Sequence, residues 1–466
     1  MAWTNQPRRP FAASTSSSST SVSDKQGLGQ IPDREEEISH ESKLEIQRRA
    51  ARRGVWLPVA IALASGPLAD GLSFIIKSLT DRSMPISALL VSYLSGVALS
   101  KIVGCKPGIQ PKGTPYANSY QAYDDFYASL RNVTQIALGL GAGLVGWGLS
   151  PSSALTLAPS TSATVALSSL FIWGMTQGAG KLLNVPSDST KLAALTSTAC
   201  AQAAFGASRY YFWEHRSHLE TVWTTRVYGI LGALLYPILA HEVCTNVIGV
   251  SPAMMAQTLG VFLGMTIRHP VHIIAAAASA SALYASPEIL QVAMLTNLFR
   301  ILILPFAMAA IGRTTPLMHI CLEETHKYYK LLSPVQTPLE ATVRGFKIAC
   351  AQRTPLMLFG AALLARFLLE GLATSQAVPF FTQGDLSSLL SVSDWATVVL
   401  APAMAAAGLG TMSDLPKTYK LHLMGAVTAV SAVVAAFMCI AAQKEMHQSS
   451  SKLSGDELGN KGGAAQ

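Results

Sequence analysis

The chain alternates between long apolar segments and short polar connectors. Several apolar segments approach the ~20 residues that cross a hydrocarbon core of ~30 Å as a helix. Approximate bounds of the twelve segments are 55–76, 84–104, 133–150, 161–180, 191–210, 227–249, 252–267, 270–286, 289–311, 355–373, 391–410 and 421–442. The pattern predicts an all-α, polytopic bundle of transmembrane helices with about 11–12 apolar segments, and therefore a multi-pass integral membrane protein.

Polar stretches divide the chain into five regions. The Ser-rich, charged tail at the N-terminus cannot bury enough apolar surface to offset its ordering entropy, so we expect it to be disordered. Its last part, from Glu35 to Arg53, has a charge pattern that permits a surface helix. The predicted regions are the tail 1–54, a first group of membrane helices 55–311, a polar connector with a surface helix 312–354, a second group of helices 355–442 and a polar C-terminal tail 443–466.

Composition supports the same class. Only 13% of the residues are charged, against about 25% in soluble domains. The net charge is +8, and basic residues flank the apolar segments, which the orientation rule for membrane proteins explains without a nucleic-acid partner. The six cysteines form no CxxC pair, so we expect no metal site and no cofactor. The expected partner is the lipid bilayer, and the sequence does not indicate which membrane.

The positions of the basic residues constrain the topology. If the connector 312–354 lies inside, counting back along the chain puts Arg268, Arg216 and Arg226 inside as well. Counting forward from the basic residues 48–53 instead puts residues 213–226 outside. One of the first five segments must therefore fail to cross. We expect this to be 191–210, which has few large apolar residues and is re-entrant or packed inside the bundle. The connector Arg268-His269-Pro270 is short enough to predict a tight helical hairpin.

Asp70 is an acidic residue inside the first predicted span, beside Pro67 and Gly71. A carboxylate at membrane depth is costly unless it is protonated, paired or open to water. One interpretation is a proton or cation site at a locally broken helix. The alternative is that the span begins later and leaves Asp70 near an interface.

His241, Glu242 and Asn246 form a second polar group near the end of segment 227–249. In a bundle interior they could act as a polar relay for a solute or ion. Neighbouring residues on a helix point about 100° apart, so a hydrogen-bonded packing pair is an equal alternative.

Two arginines also fall within apolar segments. Arg300 is in mid-span, where an arginine usually meets a carboxylate or an anionic ligand; the acids considered are Glu288, Asp70 and Glu242. Arg366 and Glu370 lie four residues apart, which predicts a structural ion pair on one helix face.

The sequence Gly141-Ala-Gly-Leu-Val-Gly146 matches the dinucleotide pattern G-x-G-x-x-G. No acidic residue follows at the required spacing. We therefore interpret the glycines as a close helix-packing surface, with Gly139 and Gly143 on the contact face.

Gly148-Leu-Ser-Pro and Arg344-Gly-Phe resemble even-numbered helices of the mitochondrial carrier family. The family's signature, Pro-x-acid-x-x-base, is absent after Pro270, Pro316 and Pro416. The resemblance implies at most a degenerate carrier, and we do not adopt it.

The pattern as a whole favours a transporter that moves a small solute or ion, with a path through Asp70, His241, Glu242, Asn246 and Arg300. The alternative is a membrane scaffold that binds a protein partner through its N-terminal tail and polar connector. No nucleophile elbow, HExxH helix, Walker loop or paired-carboxylate site is recognisable, so we expect no enzymatic activity.

Overall fold

The computed structural model describes residues 40–80, 86–103, 116–199, 201, 215–314, 354–374, 395–410 and 419–461. These residues form a helical bundle without strands, which confirms the predicted fold class. The helices are α1 (His40–Thr80), α2 (Ala88–Val103), α3 (Tyr116–Gly148), α4 (Pro151–Leu182), α5 (Ser187–Thr198), α6 (His215–Glu242, followed by a π-helical turn, Val243–Ile248), α7 (Pro252–Thr266), α8 (Pro270–Leu283), α9 (Glu288–Thr314), α10 (Thr354–Thr374), α11 (Ala396–Leu409) and α12 (Tyr419–Lys461).

Helix α1 joins the charged end of the N-terminal tail to the first apolar segment without interruption. Arg49 donates to Glu45 across one exposed turn at 2.5 Å. Pro58 and Pro67 lie inside the helix, so the predicted local break beside Asp70 is wrong. The predictions for residues 1–39 and for the surface helix in 312–354 fall outside the described residues.

Five of the described helices are long and apolar enough to cross a membrane. They are 47–78, 151–182, 227–248, 288–307 and 419–445, and three shorter apolar helices lie at 88–100, 270–283 and 396–409. The chain is therefore a multi-pass integral membrane protein.

The helices pack as two groups. Helices α1, α2, α3, α10 and α11 form one group, and α4 to α9 with α12 form the other. The contacts of α9 with α3 and of α2 with α8 join the two groups. One large apolar core runs through both, with Leu138, Phe262 and Leu400 among its buried members.

Glycines allow the helices of the first group to approach closely. Gly96 of α2 faces Gly408 of α11, and a methyl group on either would overlap the backbone of the other helix. Gly146 of α3 lies against the backbone of Phe359 in α10. The G-x-G-x-x-G motif thus packs helices, as predicted, but Gly143 makes only ordinary contact with its neighbour, so the assignment of that residue to the tight face is wrong.

Two helices end inside the bundle. Helix α5 has 12 residues, about 18 Å of helix, which is too short to cross ~30 Å. Of segment 191–210, residues 200 and 202–210 lie outside the described residues, and the expectation that this segment does not cross stays a prediction. Helices α7 and α8 share few contacts; α7 packs mainly on α9 and α12, and α8 on α9 and α6. The two helices nevertheless run in opposite directions along α6. Tyr236 faces Phe262 and Gly232 faces Ile267, so α7 is antiparallel to α6, whereas Gly229 faces His272 and Pro237 faces Tyr284, so α8 is parallel to it. The predicted hairpin at Arg268-His269-Pro270 is therefore confirmed as a reversal of the chain, with two arms that make few contacts with each other.

Candidate functional site

The end of α5 meets the end of α7 in the centre of the second helix group. Ala199 follows α5 with an extended backbone, as Ile267 does after α7. The amide nitrogen of Ala201 donates to the carbonyl oxygen of Arg268 at 2.9 Å. We call this meeting point the junction: residues 197–199 and 201 on one side, and 264–269 on the other.

Local sequence explains both helix ends. Pro270 has no amide hydrogen and disfavours a helical conformation at the residue before it, so α7 cannot continue and α8 starts at Pro270. The His269 Nδ1 atom accepts from the amide of Val271 at 3.4 Å. At the end of α5, the hydroxyls of Ser197 and Thr198 donate back to carbonyls four residues earlier, a pattern that weakens and bends helices.

Helix α7 approaches α9 through two glycines. A side chain at Gly260 would overlap Val292, and one at Gly264 would overlap Thr296. The spacing Gly-x-x-x-Gly is a common small-residue contact between membrane helices. It brings the last carbonyls of α7 within reach of Arg300 on α9.

Arg300 ties the two helix ends together. Its Nη1 donates to the carbonyl oxygens of Gly264 at 3.0 Å and of Ile267 at 2.5 Å. Its Nη2 donates to Ser197 at 3.1 Å and to Ala199 at 3.0 Å, and its Nε donates to Thr198 at 3.5 Å. All five donors of the guanidinium are thus used by main-chain carbonyls. The side chain is 2% exposed.

This arrangement also balances the charge of Arg300. A helix C-terminus carries about half a negative elementary charge, and Arg300 binds the C-termini of two helices. The two partial charges together offset about one positive charge. The acids considered as partners lie elsewhere: Glu288 accepts from Gln257 at 3.1 Å, Glu242 accepts from Asn246, and Asp70 is exposed. The expectation of a carboxylate partner from this set is therefore wrong.

Arg268 is the second arginine at the junction, and it is 6% exposed. Its guanidinium lies near Tyr228, Tyr236 and Arg300. The Nη2 atom is buried without a hydrogen-bond partner, and no carboxylate of the described residues pairs with it. The interpretation of Arg268 as a surface charge on an inside loop is wrong, because three apparent loop residues are a buried break between two helices.

Two histidines extend the polar lining along the first turn of α8. The Nε2 atom of His272 is 2.7 Å from the hydroxyl of Tyr93 on α2. The rings of His269 and His272 lie 5.1 Å apart. Gly229 of α6 leaves the space that the His272 ring occupies, since a methyl group at Gly229 would overlap the ring.

Asn297 completes the described polar group. It precedes Arg300 by three residues on α9, which is about 4.5 Å along the helix axis and on a neighbouring part of the same surface. The side chain is fully buried. Within the described structure, neither Oδ1 nor Nδ2 has a hydrogen-bond partner. A buried amide with both atoms unsatisfied is uncommon.

The other sequence candidates lie away from the junction. Asp70 is exposed on α1. His241 stacks on Tyr284 with ring centroids 4.3 Å apart. Exposed Asn246 donates to Glu242 at 2.7 Å. The structure therefore does not bring Asp70 or the group around Glu242 together with Arg300.

The ion pair between Arg366 and Glu370 is present on α10, with Nε and Oε1 2.7 Å apart. Arg366 also donates to the carbonyl of Trp147 on α3 at 2.8 Å. The pair thus joins two helices of the first group, which fits a structural role.

Sequence reasoning missed Arg268, His272 and Asn297. A signal for the first two was available in the sequence. Segment 252–267 has 16 residues, which form about 24 Å of helix and are too few for a full crossing. The polar residues Arg268 and His269, followed by Pro270, come directly after it. Asn297 gave no such signal, because one amide in an apolar helix is common. The described residues contain no group of three or more His, Cys, Asp or Glu side chains that could hold a metal ion.

Residues 113–320 match a family model described as Conserved hypothetical protein 698. The matched part is less than half of the chain and includes both helix breaks, Arg268, Asn297 and Arg300. No curated protein and no solved structure matches the chain. The resemblance to mitochondrial carriers receives no support from these comparisons.

Proposed function

We propose that this protein is a transporter that moves a small solute or ion through its helix bundle, with the junction as the solute site. The observation that carries the proposal is that two helices end at one buried point, where a single arginine holds both ends. In membrane proteins, non-helical backbone at this depth is tolerated where it is buried or lines a cavity. Helices that end at membrane depth supply backbone groups to solute sites in many transporters.

The depth of the junction supports the same function. Arg300 is 12 residues from the start and 7 residues from the end of the apolar span 288–307. These distances correspond to about 18 Å and about 10 Å of helix, so the junction belongs to the hydrocarbon zone rather than to either membrane surface. Polar groups at such depth are expensive and usually serve transport or ligand binding.

Small residues at the helix contacts also favour a moving bundle. Gly260 and Gly264 give α7 a smooth face toward α9, and Gly96 and Gly408 do the same between α2 and α11. Few interlocking side chains resist displacement at such contacts. Each of these contacts lies within one helix group, so helices can shift inside that group, and the α7–α9 contact lies beside the junction.

Reconstituted vesicles test this proposal. The purified full chain is placed in phosphatidylcholine vesicles, and uptake of labelled chloride, inorganic phosphate, succinate, potassium, glycine and glucose is followed over time. We expect saturable uptake of at least one of these solutes. Arg300→Lys keeps the charge but has three donors instead of five, so two carbonyls lose their partner and uptake should fall at least tenfold.

Arg366→Lys is the matched control, since it changes another buried arginine that also donates to a main-chain carbonyl. It should keep more than half of the uptake. Equal uptake by the native chain and by Arg300→Lys would remove the junction from the solute path. Absence of uptake for every solute, together with loss of partner binding on deletion of residues 1–39, would favour the scaffold alternative.

A further inference from the structure

We infer that the solute bound at the junction is a small anion and that Arg268 and Asn297 recognise it. This inference rests on the proposed transport function and names the substrate class. It follows from the charges at the junction and from the polar atoms there that have no partner within the described residues.

The two arginines of the junction differ in their charge balance. The five N–H groups of the Arg300 guanidinium donate hydrogen bonds to carbonyls at two helix C-termini. The partial negative charges of these helix ends offset the charge of Arg300. Arg268 has no such partner: its Nη2 is unsatisfied and no described carboxylate pairs with it. Among the described residues, the junction therefore retains about one uncompensated positive charge.

The orientation of α8 adds to this positive charge. Helix α8 has 14 residues and begins at Pro270, two residues after Arg268. A helix N-terminus carries about half a positive elementary charge and attracts anions. The side chains nearest to this end, His269 and His272, are neutral or cationic and never anionic.

No described acid lies at the junction to supply the missing negative charge. The acids of the spans are engaged or exposed elsewhere: Glu242 with Asn246, Glu288 with Gln257, Glu370 with Arg366, and Asp70 at the surface. An unpaired guanidinium in a bilayer interior is energetically costly. A mobile anion removes that cost when it binds.

Asn297 supplies the second recognition group. It lies three residues before Arg300 on α9, and both atoms of its buried amide lack a partner in the described structure. A neutral hydrogen-bond donor suits an anion with acceptor atoms. Since Arg300 has no donor left, the contacts to the ligand come from Arg268 and Asn297. A cation at this place would meet two arginines and a helix N-terminus.

Ligand-induced stabilisation tests the inference. The full chain is purified in detergent free of phospholipid, so headgroup phosphates do not compete, and its thermal unfolding is measured with chloride, inorganic phosphate or succinate, each as sodium and potassium salts. We expect Tm to rise with the concentration of at least one anion and not to depend on the cation. Arg268→Gln should weaken the apparent affinity at least about tenfold, the loss expected when a charged hydrogen-bonding group is removed.

Two further variants keep the test decisive if Arg268→Gln folds poorly. Arg268→Lys keeps the charge and should bind the anion with an affinity between those of the native chain and Arg268→Gln. Asn297→Asp is nearly isosteric and places a negative charge at the junction, so it should abolish the rise in Tm. Arg366→Gln, which removes a charge far from the junction, should leave the anion effect intact.

The outcomes separate this inference from the transport proposal. Vesicle uptake of potassium, glycine or glucose without competition by any anion would overturn the anion inference and leave transport standing. Anion binding that depends on Arg268 with no flux of any anion would support the site and overturn transport.

An anion-dependent rise in Tm that is equal in the native chain, Arg268→Gln and Asn297→Asp would overturn the site. An effect that appears only when phosphatidylglycerol is added would identify a lipid headgroup instead of a free anion.

Discussion

At the scale of single residues, the centre of the molecule depends on Arg300. Its position in the middle of an apolar span was visible in the sequence, and the prediction that it needs a strong partner was sound. The identity of the partner was not predictable, because main-chain carbonyls are available for this role only where helices end. The helix ends were hidden in a segment with few large apolar residues and in a three-residue connector.

Removal of the Arg300 side chain should destabilise the bundle. Arg300→Ala leaves five buried carbonyls without their donor; at about 0.6 kcal/mol for a hydrogen bond in a membrane protein, the expected loss is about 3 kcal/mol. Arg366→Ala removes one carbonyl contact and one ion pair and should cost clearly less. Chemical unfolding in detergent micelles measures the free energy of unfolding of both variants. Equal stability of Arg300→Ala and the native chain would mean that the guanidinium does not hold the helix ends together.

Gly229 tests the packing of His272. Gly229→Ala inserts a methyl group where the His272 ring lies, so the ring must move and its contact with the Tyr93 hydroxyl should be lost. We expect vesicle uptake to fall at least fivefold while the far-ultraviolet circular dichroism spectrum stays unchanged. Gly371→Ala, which has open space around the new methyl group, serves as the control. Normal uptake by Gly229→Ala would show that the position of His272 does not matter for transport.

At the scale of helices, the apolar segments predicted the bundle well and its interruptions poorly. Hydrophobic length identifies a span because each residue adds about 1.5 Å of rise, and most predicted segments have a matching helix. A tight hairpin and a broken helix have the same local sequence, two apolar segments around a proline. The packing against α6 identifies the hairpin, because α7 runs antiparallel and α8 runs parallel to α6.

The glycine contact between α2 and α11 gives a prediction at this scale. Gly408→Ala should destabilise the bundle by about 1–3 kcal/mol, the usual range for overpacking, because the methyl group overlaps the backbone around Tyr93. Gly66→Ala on α1 has open space and should be neutral or slightly stabilising, since alanine favours helices over glycine. The midpoint of thermal unfolding for the two variants measures the difference. A larger decrease in the unfolding midpoint for Gly66→Ala than for Gly408→Ala would contradict the close contact between α2 and α11.

At the scale of the whole molecule, the second of two helix groups holds a polar junction whose described residues carry excess positive charge, and His272 beside this junction contacts Tyr93 of the first group. The sequence showed the membrane class through its low content of charged residues and nominated Arg300, but the other nominated path residues lie at separate places. Asp70 faces outward on α1, and Glu242 bonds to Asn246 at the end of α6. A linear sequence reports which residues are polar within a span, and it does not report which side of the helix faces the interior.

Transport through the junction, as proposed, requires that the junction opens in turn to each side of the membrane, and the accessibility of a single cysteine tests this most directly. In a background with the six native cysteines replaced by alanine, Thr266→Cys places a thiol at the end of α7, and Thr176→Cys places one on α4 as the control. Both threonines are buried and donate back to a carbonyl four residues earlier. A membrane-impermeant maleimide is applied to sealed vesicles from the outside or enclosed within them. We expect Cys at 266 to react from both sides, with protection by the bound anion, and Cys at 176 to react from neither. A thiol at 266 that reacts from no side, or from one side only, would contradict the account.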